Sequence, residues 1–203
     1  MPNIHIDVVS DGPSSDVAIL AVREVLADEL TCTSVLDMVD QVQGRVGVSD
    51  RIGRLRIFGH GNPGIVCIGR VSASTSLSSL NMTDLSKIIG VVRQEGVAQT
   101  GETVRTSYPL FNEDALRRLA PKFSRDGWVE LHACRAASGE LGEQLLRRLA
   151  ELWQVLVKGG IEDQFAGGGI EGMAIVAFPN GSVQRRPPAP PPHTRAGCSV
   201  SWR

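Results

Sequence analysis

The sequence predicts an α/β fold: a mostly parallel sheet flanked by helices on both faces. Two observations carry this. Short apolar, β-branched runs alternate along the chain with longer stretches whose apolar residues recur at helical spacing. Hydrophobic residues make up 42% of 203, enough for a sizeable core in one domain, or in one domain plus a tail.

Taken in order, Ile4–Val9 (IHIDVV) reads as a strand closed by the turn cluster SDGPSSD. Ser15–Leu30 reads as a helix capped by Ser14 or Ser15, with a mostly apolar face made of Val17, Leu20, Ala21, Glu24 and Val25. Thr33–Val46 is a second amphipathic helix, with Val35, Leu36, Val39, Val42 and Val46 on one face. Leu55–Phe58 is a strand, and GIVCIG (Gly64–Gly69) a short return strand. SLNMTDLSKIIGVVRQ carries a cap-like Asn81 or Thr83 before a helical pattern, and EGVAQTGETVRTSYP reads as a loop. NEDALRRLAPKF is a helix with Asn112 as cap and acids in its first turn, where the helix dipole favours them. Trp128–Ala133 is a strand, Gly139–Trp153 a strong helix and Val155–Gly160 the next strand. MAIVAFPNGSVQRR reads as a hairpin turning at Asn180-Gly181, a type I′ signal. The boundary falls at residue 183, so that 1–183 is the α/β domain. Residues 184–203 are a proline-rich C-terminal extension of polyproline II or irregular character, suited to docking a protein partner.

Composition excludes several classes of function. The formal charge of −1, with no basic stripe among aromatics, argues against nucleic acid as a partner. No apolar run approaches the length of a membrane span, and MPNIHIDVV has none of the features of a signal peptide. Cys32, Cys67, Cys134 and Cys198 show no paired spacing, so free thiols in a reducing, cytoplasmic setting are expected.

Two strand ends carry chemistry. LRIFGHGN places His60 between two glycines at the end of one strand, and WVELHACRAASG places Cys134 at the end of another. In a parallel sheet, ligands sit beyond the carboxyl ends of the strands, so neighbouring strands would bring these side chains together. An imidazole can take the proton of a thiol, and a helix amino end just after Cys134 would favour the thiolate. The flanking glycines allow a tight turn and close approach to substrate, and the N–H groups of Gly61 and Cys134 could form an oxyanion hole. The competing reading makes Cys134 a small buried hydrophobe.

LRIFGHG followed by VELHAC resembles the caspase-like cysteine peptidases, and HGNPGIVCIG with HACRAASGELGEQLLRRLAELW resembles a bacterial caspase-like domain family; the resemblance covers roughly Leu55 to Gly169. It implies a caspase-like sheet, a protein or peptide substrate and no cofactor. His60 matches the general base, Gly61 its oxyanion partner and Cys134 the nucleophile. HACRA departs from the caspase pattern: His132 stands where a glutamine is usual, which puts aspartate specificity in doubt.

His132 shares a strand side with Cys134, so it could line the specificity pocket, serve as base, or simply pack against a neighbour. Asp11, Glu162 and Asp163 follow strands at carboxyl ends and could select a basic residue in substrate. His60, His132, Cys134 and Cys67 have the ligand types for zinc, but their spacing matches no zinc motif and no metal is expected. The expected function is a cysteine endopeptidase working through a His60–Cys134 dyad and cleaving after basic residues. The alternative is an inactive caspase-like module used in binding or assembly.

Overall fold

A computed structural model describes residues 2–12, 16–26, 28–70, 85–95, 106–164 and 169–187. The caps considered at Ser14, Ser15, Asn81 and Thr83, together with Cys198 and the extension from residue 188, lie outside them. The core is a seven-stranded sheet. Its parallel part consists of β1 (Asn3–Ser10), β2 (Leu30–Cys32), β3 (Arg51–Phe58), β9 (Phe123–His132) and β10 (Leu156–Gly160). Two antiparallel strands, β11 (Ala174–Ala177) and β12 (Val183–Arg186), complete one edge. The order across the sheet is β12-β11-β10-β9-β3-β1-β2. The sheet therefore runs to Arg186, three residues past the boundary read at 183. Counted along the chain, the parallel strands lie in the doubly wound order 2-1-3-4-5, whose switch point falls between β1 and β3.

Strand alternation sorts the core into two layers. Ile6 and Val8 of β1, Leu55 and Ile57 of β3, and Val129 and Leu131 of β9 face one side. There they meet α2 (Val35–Arg45), α3 (Glu113–Arg117) and α4 (Gly139–Trp153) through Val39, Leu116, Leu145 and Leu149. Trp153 is part of this layer, and its Nε1–H donates to Leu116 O at 2.8 Å. On the other side, Val9, Phe58 and Cys134 form a smaller cluster with Ala18, Ile19 and Val22 of α1 (Val17–Val25). Helices thus cover both faces.

Below α1 the second face is polar. One register row runs Asp7, Arg56, Glu130 and Lys158 across four strands, alternating in charge. Opposite charges side by side stabilise a sheet by about 0.2–1 kcal/mol per pair. Asp7 and Arg56 form an ion pair at 2.5 Å, and the Arg56 guanidinium also lies over the Phe58 ring.

Several local expectations are corrected. The first helix spans only Val17–Val25 and is capped by Asp16, whose side chain accepts from Ile19 N–H. Its buried residues are Ala18, Ile19 and Val22, whereas Leu20 and Val25 are exposed. Leu30 belongs to β2, a three-residue strand too short to show a period. Leu36 is exposed and Met38 takes the buried place on α2. Ile88–Gly90 is a strand (β6), because it pairs with β5 (Ile65–Cys67) and not with a helical neighbour. β5 in turn pairs with β4 (Gly61–Asn62), and β7 (Gln94–Glu95) pairs with β8 (Thr106–Ser107). Asn112 adopts φ 58° without capping its helix; its amide instead ties Leu85 O and Ile88 O. The β11–β12 loop closes through Gly181 N–H to Phe178 O, with Gly181 alone at positive φ. That is a type I turn followed by a left-handed glycine, not a two-residue type I′ turn.

Candidate active site

His60 and Cys134 lie just beyond the carboxyl ends of β3 and β9, which are adjacent and parallel: Leu55 pairs with Val129 and Phe58 with His132. Gly59 N–H continues the ladder to His132 O at 3.2 Å. The two strand ends meet closely after that. A Cβ on Gly61 would lie 2.8 Å from both Ala133 Cβ and Cys134 O, and one on Gly59 would lie 2.2 Å from Cys67 O. The glycines around His60 are therefore required for close packing of backbone on backbone. Neither has a positive φ, so a strained turn is not the reason for them.

Cys67 N–H donates to His60 O at 2.8 Å, which makes Gly61 and Val66 the non-hydrogen-bonded pair of the β4–β5 ladder. The Gly61 N–H is thus directed away from β5, as an oxyanion donor must be.

His60 Nε2 lies 2.5 Å from Asp16 Oδ2, with the two side chains 18% and 10% exposed. Asp16 has two tasks, since its other oxygen, Oδ1, caps α1 at Ile19 N–H. A Cβ on Gly12 would come within 3.0 Å of the Oδ2 that faces His60.

Cys134 is 3% exposed, packed in the cluster with Val9, Phe58 and the apolar face of α1. Its Sγ accepts from Gln164 N–H at 3.4 Å. The helix that follows begins only at Gly139, beyond a turn in which Arg135 takes φ 56°, so Gln164 N–H and not a helix amino end stands at the sulfur. Arg135 N–H to Glu162 O (2.9 Å) and Ala137 N–H to Gly160 O (3.1 Å) fasten this turn to the end of β10. Gln164 is fully buried, and its amide donates to Glu162 O and Glu171 O and accepts from Glu171 N–H.

Burial pushes the Cys67 thiol up to about 11; burial, with Asp37 nearby, pushes that of Cys32 up to about 12. Among the described residues, no group of three or more His, Cys, Asp or Glu side chains is placed to hold a metal ion.

The other expected site residues separate. His132 is buried, stacked on Phe58 with ring centroids 4.4 Å apart, and 3.2 Å from Glu130. Its burial holds the imidazole below the usual range, against the raising effect of Glu130. Asp11 lies beside the β1 end, bracketed by Arg23 at 3.4 Å and Arg70 at 3.5 Å. Glu162 is exposed, accepting from Met173 N–H at 3.5 Å, and Asp163 is half-buried.

No protein-family model matches the chain. No curated protein and no solved structure matches it either.

Asp16 and Gln164 are the site residues that sequence reasoning missed. Asp16 carried a signal, because an Asp just before an apolar helical run is a preferred cap. Gln164 carried none: its role depends on β10 ending beside β9.

Proposed function

We propose that this chain is a caspase-like cysteine endopeptidase in which Cys134 is the nucleophile and His60 the base. The observation that carries the reading is the joint of β3 and β9, with His60 and Cys134 at adjacent parallel strand ends and the Gly61 backbone against Cys134. In this mechanism His60 takes the thiol proton as Sγ attacks the carbonyl carbon of the substrate peptide bond. Gly61 N–H receives the developing oxyanion. His60 then gives the proton to the leaving amine, and a thioester remains on Cys134. Water, losing a proton to His60, attacks the thioester; the acid leaves and the proton returns to the thiolate.

Preference for a basic residue before the cut is part of the proposal. It rests on Glu162 and Asp163 following β10 at its carboxyl end, beside β9; Asp11 faces Arg23 and Arg70. That Cys32, Cys67 and Cys134 are thiols and not disulfides supports a reducing, cytoplasmic setting. No helix among the described residues is long and apolar enough to cross a membrane.

The test is labelling by a peptidyl acyloxymethyl ketone with Arg or Lys next to the warhead, followed by peptide mapping. Labelling at Cys134, lost in Cys134→Ala and nearly lost in His60→Ala, is expected. Labelling elsewhere in a folded protein would sink the dyad. Profiling on a mixed peptide library decides the basic preference; cleavage after Asp or large apolar residues would overturn it.

A second reading, an inactive module for binding or assembly, is favoured by one observation: Cys134 is only 3% exposed beneath α1. Folded wild-type protein that resists the ketone at every cysteine is the result this reading expects.

A further inference from the structure

We propose that Asp16 is a positioning residue for His60, fixing the ring as the Nε2–H tautomer so that proton exchange with Cys134 runs through Nδ1. The catalytic part of this inference rests on the peptidase reading; the tautomer does not.

The argument starts from the carboxylate. An ionised carboxylate can only accept, so at 2.5 Å from Asp16 Oδ2 the Nε2 atom must carry hydrogen. In the neutral ring the basic nitrogen is then Nδ1. When His60 takes a proton from a thiol, the same carboxylate stabilises the imidazolium formed. Asp16 itself is held firmly. It is 10% exposed, and its Oδ1 is committed to Ile19 N–H at the start of α1. Ala18, Ile19 and Val22 of that helix pack in one cluster with Phe58 and Cys134. Gly12 leaves just enough room, because a Cβ there would press on Asp16 Oδ2 at 3.0 Å and on Ile19 Cγ1 at 2.8 Å. The cap of α1 and the orientation of His60 are thus set by one side chain.

Asp16→Asn separates the two tasks. Asn caps helices as well as Asp, so its carbonyl oxygen can keep the bond to Ile19 N–H. Its NH2 group then faces His60 Nε2 and demands an acceptor there. The hydrogen moves to Nδ1, where the thiol proton would have to go.

The experiment is imidazole ¹⁵N NMR of wild type and Asp16→Asn, with steady-state kinetics beside it. The expected wild-type signal for neutral His60 is the Nε2–H tautomer, changing to Nδ1–H in the variant. By analogy with the serine-protease triad, kcat should fall by roughly 10²–10⁴-fold with KM little changed. Urea midpoints of the two proteins should agree. A wild-type His60 carrying its hydrogen on Nδ1, or a variant with wild-type kcat, overturns the proposal. The expected change of tautomer between wild type and Asp16→Asn, with a wild type unable to hydrolyse any peptide, upholds the positioning and rejects the peptidase.

Discussion

The amide of Gln164 fills the space that a side chain at position 160 would need: a Cβ on Gly160 would lie 2.1 Å from Gln164 Nε2. Gly160 ends β10, and Gln164 donates its backbone N–H to Cys134 Sγ. A methyl group on one strand end therefore acts on the sulfur at the next. Gly160→Ala should push the amide off Glu162 O and Glu171 and leave buried groups unpaired, at about 1–3 kcal/mol for each. Gln164→Ala should lose the same bonds but relieve the clash. In urea unfolding, the double variant should be clearly more stable than the sum of the single losses implies. Strict additivity would mean that the two residues do not share this space.

Gly61→Ala tests the joint between β3 and β9. Its Cβ would meet Ala133 Cβ and Cys134 O, each at 2.8 Å, and backbone cannot rotate aside as a side chain can. Overpacking of this kind costs about 1–3 kcal/mol. Ketone labelling of Cys134 should fall far more than the unfolding midpoint does. A Gly61→Ala protein labelled at the parent rate would show that Gly61 is spacing material and does not shape the site.

Thiol chemistry should separate the cysteines by pH. A thiol raised to about 11, as Cys67 is, has on the order of 10⁻³ of its population as thiolate at pH 8, and Cys32, at about 12, on the order of 10⁻⁴. Brief iodoacetamide treatment of folded protein at pH 8 should leave both unmodified in peptide maps, and raising the pH to 10 should bring in Cys67 before Cys32. Rapid modification of Cys32 at pH 8 would contradict its burial.

His132 should make the fold acid-sensitive. Burial lowers its folded value from 6.5, against Glu130, while Arg56 and Lys158 act with burial. The unfolded chain therefore binds the proton more readily. The stabilisation is fully present above about 6.5 and is lost as pH falls below it, with a slope that cannot exceed about 1.4 kcal/mol per pH unit. Glu130, held below its usual 4.5 although burial opposes this, by the His132 hydrogen bond and charge together with Lys158 and Arg54, adds a further loss at lower pH. His132→Phe keeps an aromatic ring on Phe58 and removes the titration. Urea midpoints at pH 7.5 and 5.5 should converge in that variant; an undiminished difference would place the sensitivity elsewhere.

The parts of the fold legible in the sequence were those with a period. β1, β3, β9 and α4 each bury one face or both over many residues, and their apolar patterns show it. β2 and β6, three residues each, have no period to read and exist through their partners, β1 and β5. At the site, His60 and Cys134 could be found because turn residues follow two apolar runs. The Asp16–His60 contact spans 44 residues, and Gln164 reaches Cys134 across 30, so nothing local records either. The polar row from Asp7 to Lys158 was hidden for another reason: each charge alone looks like the wet side of an alternating strand.

The joint between β3 and β9 also bears on the order in which the chain assembles. β1, α1, β2, α2 and β3 are contiguous and can associate early, carrying Asp16 and His60 with them. Cys134 arrives only when β9 closes a loop spanning residues 60 to 134 by parallel pairing, a slow and non-local event. In the proposed mechanism, a half-folded chain would hold the base without its nucleophile. On the nascent polypeptide His60 and Cys134 stay apart until the centre of the sheet has closed, so for the peptidase proposed above the timing of activity would be set by folding itself and would need no separate inhibitor during synthesis.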